Sequence, residues 1–449
     1  MLIYLNLQYI CFYCNNKQLF KMYSTQKFFS HSFFASMPGA VSIFLSFLSI
    51  PIHLKFAGTE HYGQYIFLHL LSSLGLLLNF GIGKITSINI SRNTNKNKIA
   101  YSGIRVTAKN CSVILILIAF AYVANNFLNF VSNENLILIA TSVLLTIFFV
   151  TLESVFVGNR IFVGLMLINL LYYGFSLSLP SIFLFFQYYN YQEVFFGSII
   201  IKTIVVLLST TYLIKYNYIK FHKIKNYTNF KSSKWFSISL FLSQIYDFSD
   251  KYLVKTLLGP AALAIYVVPQ QLSGKLSIFS KGFSSVLLPS ISLSEKKQTQ
   301  NKSFLLTLKL FIFVLPIILF SFFFISDYFL ILWLGINYPA EILQLLKIFV
   351  IVNWFACLSH LFVTYYEGSG NVKKNTNIEI LFLPIFIPFL ILASISKSLI
   401  LIAMVMLGKE IVLLFLRTFK LIKKIKIIPI MYFVSALVVF ILFYIEILV

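Results

Sequence analysis

The residues able to do chemistry in this chain are charged groups set in apolar sequence. Asp247, Lys251 and Lys255 recur every fourth residue, and Asp250 adjoins them. That spacing puts the three on one helix face, with the acid ahead of the base in the favourable order. Further along, Lys275 stands one turn from Gln271, with no acid three or four residues to either side, and Lys281 follows. His69 lies in an earlier apolar stretch. Ionisable groups inside a membrane span are costly and need a reason. An ammonium there must face water, a partner helix or an anionic ligand. Lys251, Lys255, Lys275 and Lys281 are therefore candidate anion-binding groups, with Gln271 and His69 as polar neighbours. Asp247 and Asp250 are candidate coupling groups, since a carboxylate in low dielectric can exchange a proton or hold Na+. Plainer readings stay open for each. Asp247 and Lys251 can compensate one another between helices, lysines near span ends can reach toward headgroups, and His69 can serve as an interhelical hydrogen-bonding group. Lys202, Lys309, Lys347, Lys409 and Glu410 raise the same questions.

These groups need helices to hold them. The chain has 449 residues, 59% of them hydrophobic, against about 45–50% in soluble domains. Crossing the hydrocarbon takes about 20 apolar residues, and runs of that length recur with short gaps between them. They do not alternate in the ten-residue pattern of a transmembrane barrel, so the spans are helical. Thirteen are expected, over 33–54, 64–83, 108–130, 136–157, 162–186, 194–215, 235–258, 262–288, 304–325, 341–365, 377–396, 398–418 and 427–447. The apolar stretch from Asp327 to Ala340 reads as a loop dipping into the interface, a depth suited to Trp333 and Tyr338. Proline at 180, 269, 316, 384 and 388 marks bends or hinges.

Charge gives an orientation. Arg92, Lys96, Lys98, Arg105 and Lys109 fill one gap; Lys215, Lys220, Lys223, Lys225, Lys231 and Lys234 fill another; Arg417, Lys420, Lys423, Lys424 and Lys426 fill a third. The gaps between carry Glu134, Glu193, Asp327 and Glu341, with Lys397 the main exception. Lys- and Arg-rich loops stay in the cytoplasm, so the N-terminus is expected there, in a multi-pass protein of a bacterial inner membrane. The net charge of +23 then faces anionic lipid rather than nucleic acid. No cleavable leader is evident, and Met22 sits just ahead of the first long span. Cys11 and Cys14 have redox-motif spacing without the strand–helix context that would support it. No phosphate loop, metal cluster or nucleotide motif is present, so neither cofactor nor ATP hydrolysis is expected.

A shift of 201 positions aligns IHLKFAGTEHYGQYIFLHLL (52–71) with LVKTLLGPAALAIYVVPQQL (253–272), placing Gly58 on Gly259, Tyr65 on Tyr266, Leu71 on Leu272 and, beyond, Gly81 on Gly282. The shift spans six helices, so the halves share an orientation, an arrangement used by transporters. The implied organisation is a tail over 1–27, a first lobe of six spans over 28–215, a basic linker over 216–234, a second lobe over 235–420 and an extra span over 427–449.

SIPIHLKFAGTEHYGQY and NFGIGKITSINISR in the first half, with DFSDKYLVKTLLGPAALAIYVVPQQL, LLPSIS, LILWLGINYPAEILQLLKIF and TYYEGSGNVKKN in the second, resemble the multidrug/oligosaccharidyl-lipid/polysaccharide (MOP) exporter superfamily. The likeness is to its branch of Wzx-like O-antigen and capsule flippases, over about residues 28–420. It implies an all-α polytopic membrane protein with two six-helix lobes around a cavity that opens alternately to each side. It also implies a cargo, undecaprenyl-pyrophosphate-linked oligosaccharide, and as further partners a polysaccharide polymerase and a chain-length regulator. Lysine suits a moving pyrophosphate because it is a flexible point charge, and Gln244, Gln270, Ser273, Asn79, Asn169, Tyr172 and Tyr173 could meet glycan hydroxyls. Three rivals are weaker. A membrane glycosyl polymerase would need large outward loops carrying catalytic groups. A cationic-drug exporter would need an acidic cavity. A lipid II flippase of the same superfamily would carry arginine within its spans, and none is read there.

Overall fold

The computed structural model describes residues 25–92, 95–128, 132–186, 189–220, 233–275, 277–293, 297–335, 338–419, 421 and 427–436. Every regular element among them is helical. In the first half these are α1 (Thr25–Ser72), α2 (Leu74–Leu78), α3 (Ile82–Arg92), α4 (Lys96–Leu128), α5 (Asn133–Asn159), α6 (Phe162–Asn169), α7 (Ser176–Ile182) and α8 (Tyr191–Lys215). In the second half they are α9 (Ser233–Leu258), α10 (Pro260–Gly274), α11 (Ser277–Leu293), α12 (Lys297–Phe313), α13 (Leu315–Leu334), α14 (Ala340–Gly368), α15 (Val372–Ile395) and α16 (Leu399–Phe419).

Among the described residues eight helices are long and apolar enough to cross a membrane, or nine if the pair Phe47–Leu78 and Ile82–Ser91, bent by 51°, is one span. That is fewer than the thirteen expected, for local reasons. The stretches read as 33–54 and 64–83 are joined in α1, where one residue, Gly58 (φ 86°, ψ 169°), makes the whole turn. The helix then breaks again, with Phe80 at φ 50° and Gly81 at φ 70°. The stretch read as 162–186 still counts as a span, although it contains a π-helical turn at Leu170–Phe175. α9 is 26 residues long but carries four charges in nine residues. The span read as 262–288 is divided at Lys275. Pro316 opens α13, where its missing N–H interrupts the ladder, and α13 then runs on to Leu334, so the first part of the expected interfacial loop is helix. Trp333 is buried there and donates its indole N–H to the Phe47 carbonyl. Cys11, Cys14, the basic stretch at 221–232 and the end of the thirteenth span lie outside the described residues.

The outer surface suits lipid. Ile116, Phe120, Phe186, Leu332 and Leu381 are each at least 70% exposed, an apolar surface that water would not tolerate over such an extent. Inside, one continuous core links both halves. The aligned residues share a geometry. Gly259 sits at φ 94°, ψ 172°, close to Gly58, a region that only glycine enters without strain. Tyr65 and Tyr266 are both fully buried. Gly282, by contrast, is helical where Gly81 has positive φ. The halves come into close backbone contact at Gly63, where an added Cβ would lie 1.9 Å from the Pro260 carbonyl oxygen.

Candidate functional site

Asp250 is the centre of one polar cluster. It is fully buried in α9, and its carboxylate accepts from the Tyr266 hydroxyl at 3.0 Å, from Gln270 Nε2 at 3.2 Å and from Lys251 Nζ at 3.3 Å. α10 delivers Tyr266 and Gln270 one turn apart, on the face it packs against α9. Lys251 also donates to the Asp247 backbone carbonyl at 2.6 Å. The expected Asp247–Lys251 carboxylate pair is thus replaced by Lys251–Asp250, because the Asp247 side chain is 67% exposed and turned toward α16. There it lies 4.0 Å from Lys409 Nζ, which is buried and pairs with Glu410 at 2.9 Å. The rings of Tyr246 and Phe386 flank the Lys409 ammonium. Three acids and two bases therefore share this region. Lys255 points elsewhere, 4.5 Å from the centroid of Phe67 in α1, a cation–π contact from one half of the sequence to the other.

Gln271 also reaches across, accepting from the Tyr62 hydroxyl at 3.2 Å. Lys275 is half-buried at the break between α10 and α11, its backbone N–H still bonded to Gln271 and Leu272. The side chain of Lys281 lies outside the described residues.

His69 is held between the rings of Tyr65 and Phe195, with centroids 4.7 and 4.9 Å away. Its Nε2 is buried without a hydrogen-bond partner among the described residues. Close by is Lys202, 5% exposed, which donates to Ser142 at 2.9 Å and to Ser72 at 3.4 Å. Its remaining close contacts are the faces of Tyr172 and Phe195. Among the described residues its contacts are two hydroxyls and two rings, and no carboxylate pairs with it.

Three groupings escaped sequence reading. His53 bonds Ser181 at 2.9 Å and His61 at 2.8 Å, and His61 reaches the Tyr189 carbonyl. Lys84 in α3 pairs with the buried Glu367 at the end of α14. Arg417, counted with a basic gap, is instead buried in α16. It donates to Glu379 at 2.7 Å, to Asn375 at 2.9 Å and to Ser359, while Ser239 donates to the other Glu379 oxygen. This corrects the reading that no arginine lies within the spans. Helical spacing gives no warning of it, since the partners come from α9, α14 and α15. No group of three or more metal-ligating side chains occurs among the described residues.

The order and packing of these helices give a fold that solved membrane transporters share. A mutant of the Vibrio cholerae MATE transporter VcmN matches with a TM-score of 0.68 at 14% identity, over 91% of this chain and 98% of that one. A MOP-superfamily transporter from Pyrococcus furiosus, described as having a binding pocket of reversed polarity, matches with a TM-score of 0.67 at 13% identity, over 88% and 95%. The sequence is similar to a Shigella flexneri protein named "Putative O-antigen transporter", 26% identical over 206 residues. The alignment covers 43% of this chain and 47% of that protein, so the chain spans about half the length of the curated relative it matches. No family model matches the chain.

Proposed function

We propose that this protein is a flippase that moves a pyrophosphate-linked, isoprenoid-borne oligosaccharide across the bacterial inner membrane for surface polysaccharide assembly. The N-terminus and the basic gaps then face the cytoplasm. The observation that carries this reading is Lys202, a lysine buried inside the spans whose contacts among the described residues are all with neutral groups. A buried charge is tolerated where it is paired and hydrogen-bonded, and one left without an acid suits a passing anion. Lys275, at a helix break, and Lys255, against an aromatic face, add cations where the two halves of the sequence meet. Likeness to an O-antigen transporter supports the cargo class. The fold supports transport by exchange between states open to either side, and the Asp250 cluster is where H+ or Na+ would bias that exchange.

The test is complementation. Expression in a strain lacking its own O-antigen flippase should restore surface polysaccharide and clear lipid-linked saccharide from the cytoplasmic leaflet. Efflux of cationic dyes, with no change in polysaccharide, would overturn the reading in favour of a drug exporter.

A further inference from the structure

Lys84 and Glu367 form an ion pair between the two halves of the sequence, whereas the other described ion pairs stay within the second half. The two partners are unequal. The Lys84 side chain is 34% exposed and that of Glu367 only 6%. The lysine therefore reaches in from an accessible position to a carboxylate that has little water of its own. Around them Ile85 and Ile88 of α3 pack on Val372 of α15, with Trp235 of α9 against the group. Lys373 lies over the Trp235 ring, 5.2 Å from its centroid, and Ser237 bonds the Phe80 carbonyl. The contact sits toward the basic end of the bundle, since α14 ends beside Glu367 and the turn before Lys373 and Lys374 follows at once.

We propose that Lys84 is the first binding site for the anionic group of the cargo, and that Glu367 occupies it as a resident counter-ion when cargo is absent. This rests on the function proposed above. Pyrophosphate carries more charge than one carboxylate and can displace Glu367 from an accessible ammonium. Glu367 is then left buried without its partner, which is unfavourable. Parting α3 from α14 relieves this by letting water reach the carboxylate. Capture of the anion thus favours the state open at the basic end, as differential affinity for two states requires. When the cargo leaves, Lys84 returns to Glu367 and the end closes. The apolar contacts of Ile85, Ile88, Val372 and Trp235 are too symmetric to sense charge; they set the resting closure that the ion pair regulates.

The two partners should respond with opposite signs. The test is binding of undecaprenyl pyrophosphate to the full-length protein in nanodiscs, with inorganic pyrophosphate and undecaprenol as separate probes. Glu367→Gln removes the competitor and should tighten binding of undecaprenyl pyrophosphate at least threefold while export falls. Lys84→Gln should weaken binding at least tenfold. If Glu367→Gln does not fold, Glu367→Asp, which shortens the reach of the carboxylate, should also tighten binding. Inorganic pyrophosphate should follow the same signs more weakly, and undecaprenol should not respond. If both variants weaken binding equally, or Glu367→Gln leaves it unchanged, the pair is only a strut and the proposal fails, although the flippase reading stands. If the wild-type protein binds neither pyrophosphate compound, the flippase reading fails and this proposal fails with it.

Discussion

Two buried cations, Lys202 and Arg417, show how neighbours decide what a charge can do. Arg417 is almost fully neutralised: its guanidinium meets Glu379, Asn375 and Ser359, and both side chains of the ion pair are under a tenth exposed. Removing one partner leaves the other buried alone, a loss of about 3–5 kcal/mol. Arg417→Met or Glu379→Gln alone should therefore lower the unfolding free energy by about that much, and the double variant should regain most of it. Denaturation in mixed micelles, read as a double-mutant cycle, checks this; additive losses would show that the two are not coupled. Lys202 should behave in the opposite way. Its contacts are hydroxyls and ring faces, so Lys202→Met removes a desolvated charge at little structural cost. Stability should hold or rise slightly, while export of lipid-linked saccharide falls at least tenfold. Lost export together with lost folding would assign Lys202 to structure instead.

At the scale of elements the turns carry the sharpest expectation. Gly58 and Gly259 occupy a backbone region open to glycine alone, and nothing lies within 4 Å of where a Cβ would stand. The cost of alanine there is backbone strain without steric clash, about 1–3 kcal/mol at each site. Gly408 has equally open surroundings but lies within α16, so Gly408→Ala should gain about 0.5–1 kcal/mol. Thermal melts of the three purified variants separate strain from crowding; equal shifts in all three would remove the backbone argument. The paired glycines were legible in the sequence because they stand on the same register, each followed seven residues later by a buried tyrosine. The long apolar runs and their alternating charge were legible for a similar reason, since both are properties of consecutive residues. The break at Lys275 and the π-helical turn at Leu170–Phe175 were not, because a lone glycine such as Gly274 or Gly174 inside an apolar run is tolerated within a helix and does not by itself mark a change. Nor were the pairings of Arg417 and Lys84, since each depends on which distant helix becomes a neighbour. Asp247 and Lys251 show the limit within one helix: spacing put them on one face, yet Lys251 turned to Asp250 and Asp247 to another helix altogether.

For the molecule as a whole, two of the contacts between the halves lie at different levels of the bundle, and transport between two leaflets requires that these two not persist together. At the glycine turns, Gly63 lies against Pro260 and Tyr62 bonds Gln271. Toward the basic end, Lys84 meets Glu367 and Trp235 packs with Ile85, Ile88 and Val372. The first contact depends on close backbone approach, and an added side chain at Gly63 would meet the Pro260 carbonyl at a distance no real contact tolerates. Since that obstacle is backbone, the turn ends themselves must part. Gly63→Leu should therefore bias the protein toward the state open at the glycine turns without touching any charged group. In a background with Cys11, Cys14, Cys111 and Cys357 all replaced by serine, a cysteine introduced by Gln271→Cys should label faster, by about tenfold, with a thiol reagent supplied from the side that bears Gly58. Export should fall, because a state favoured by about 1.4 kcal/mol is tenfold more populated and slows return. The Lys84–Glu367 contact should survive in the same variant. Unchanged labelling would mean that the turns part without affecting the passage, and that the close approach at Gly63 is packing alone.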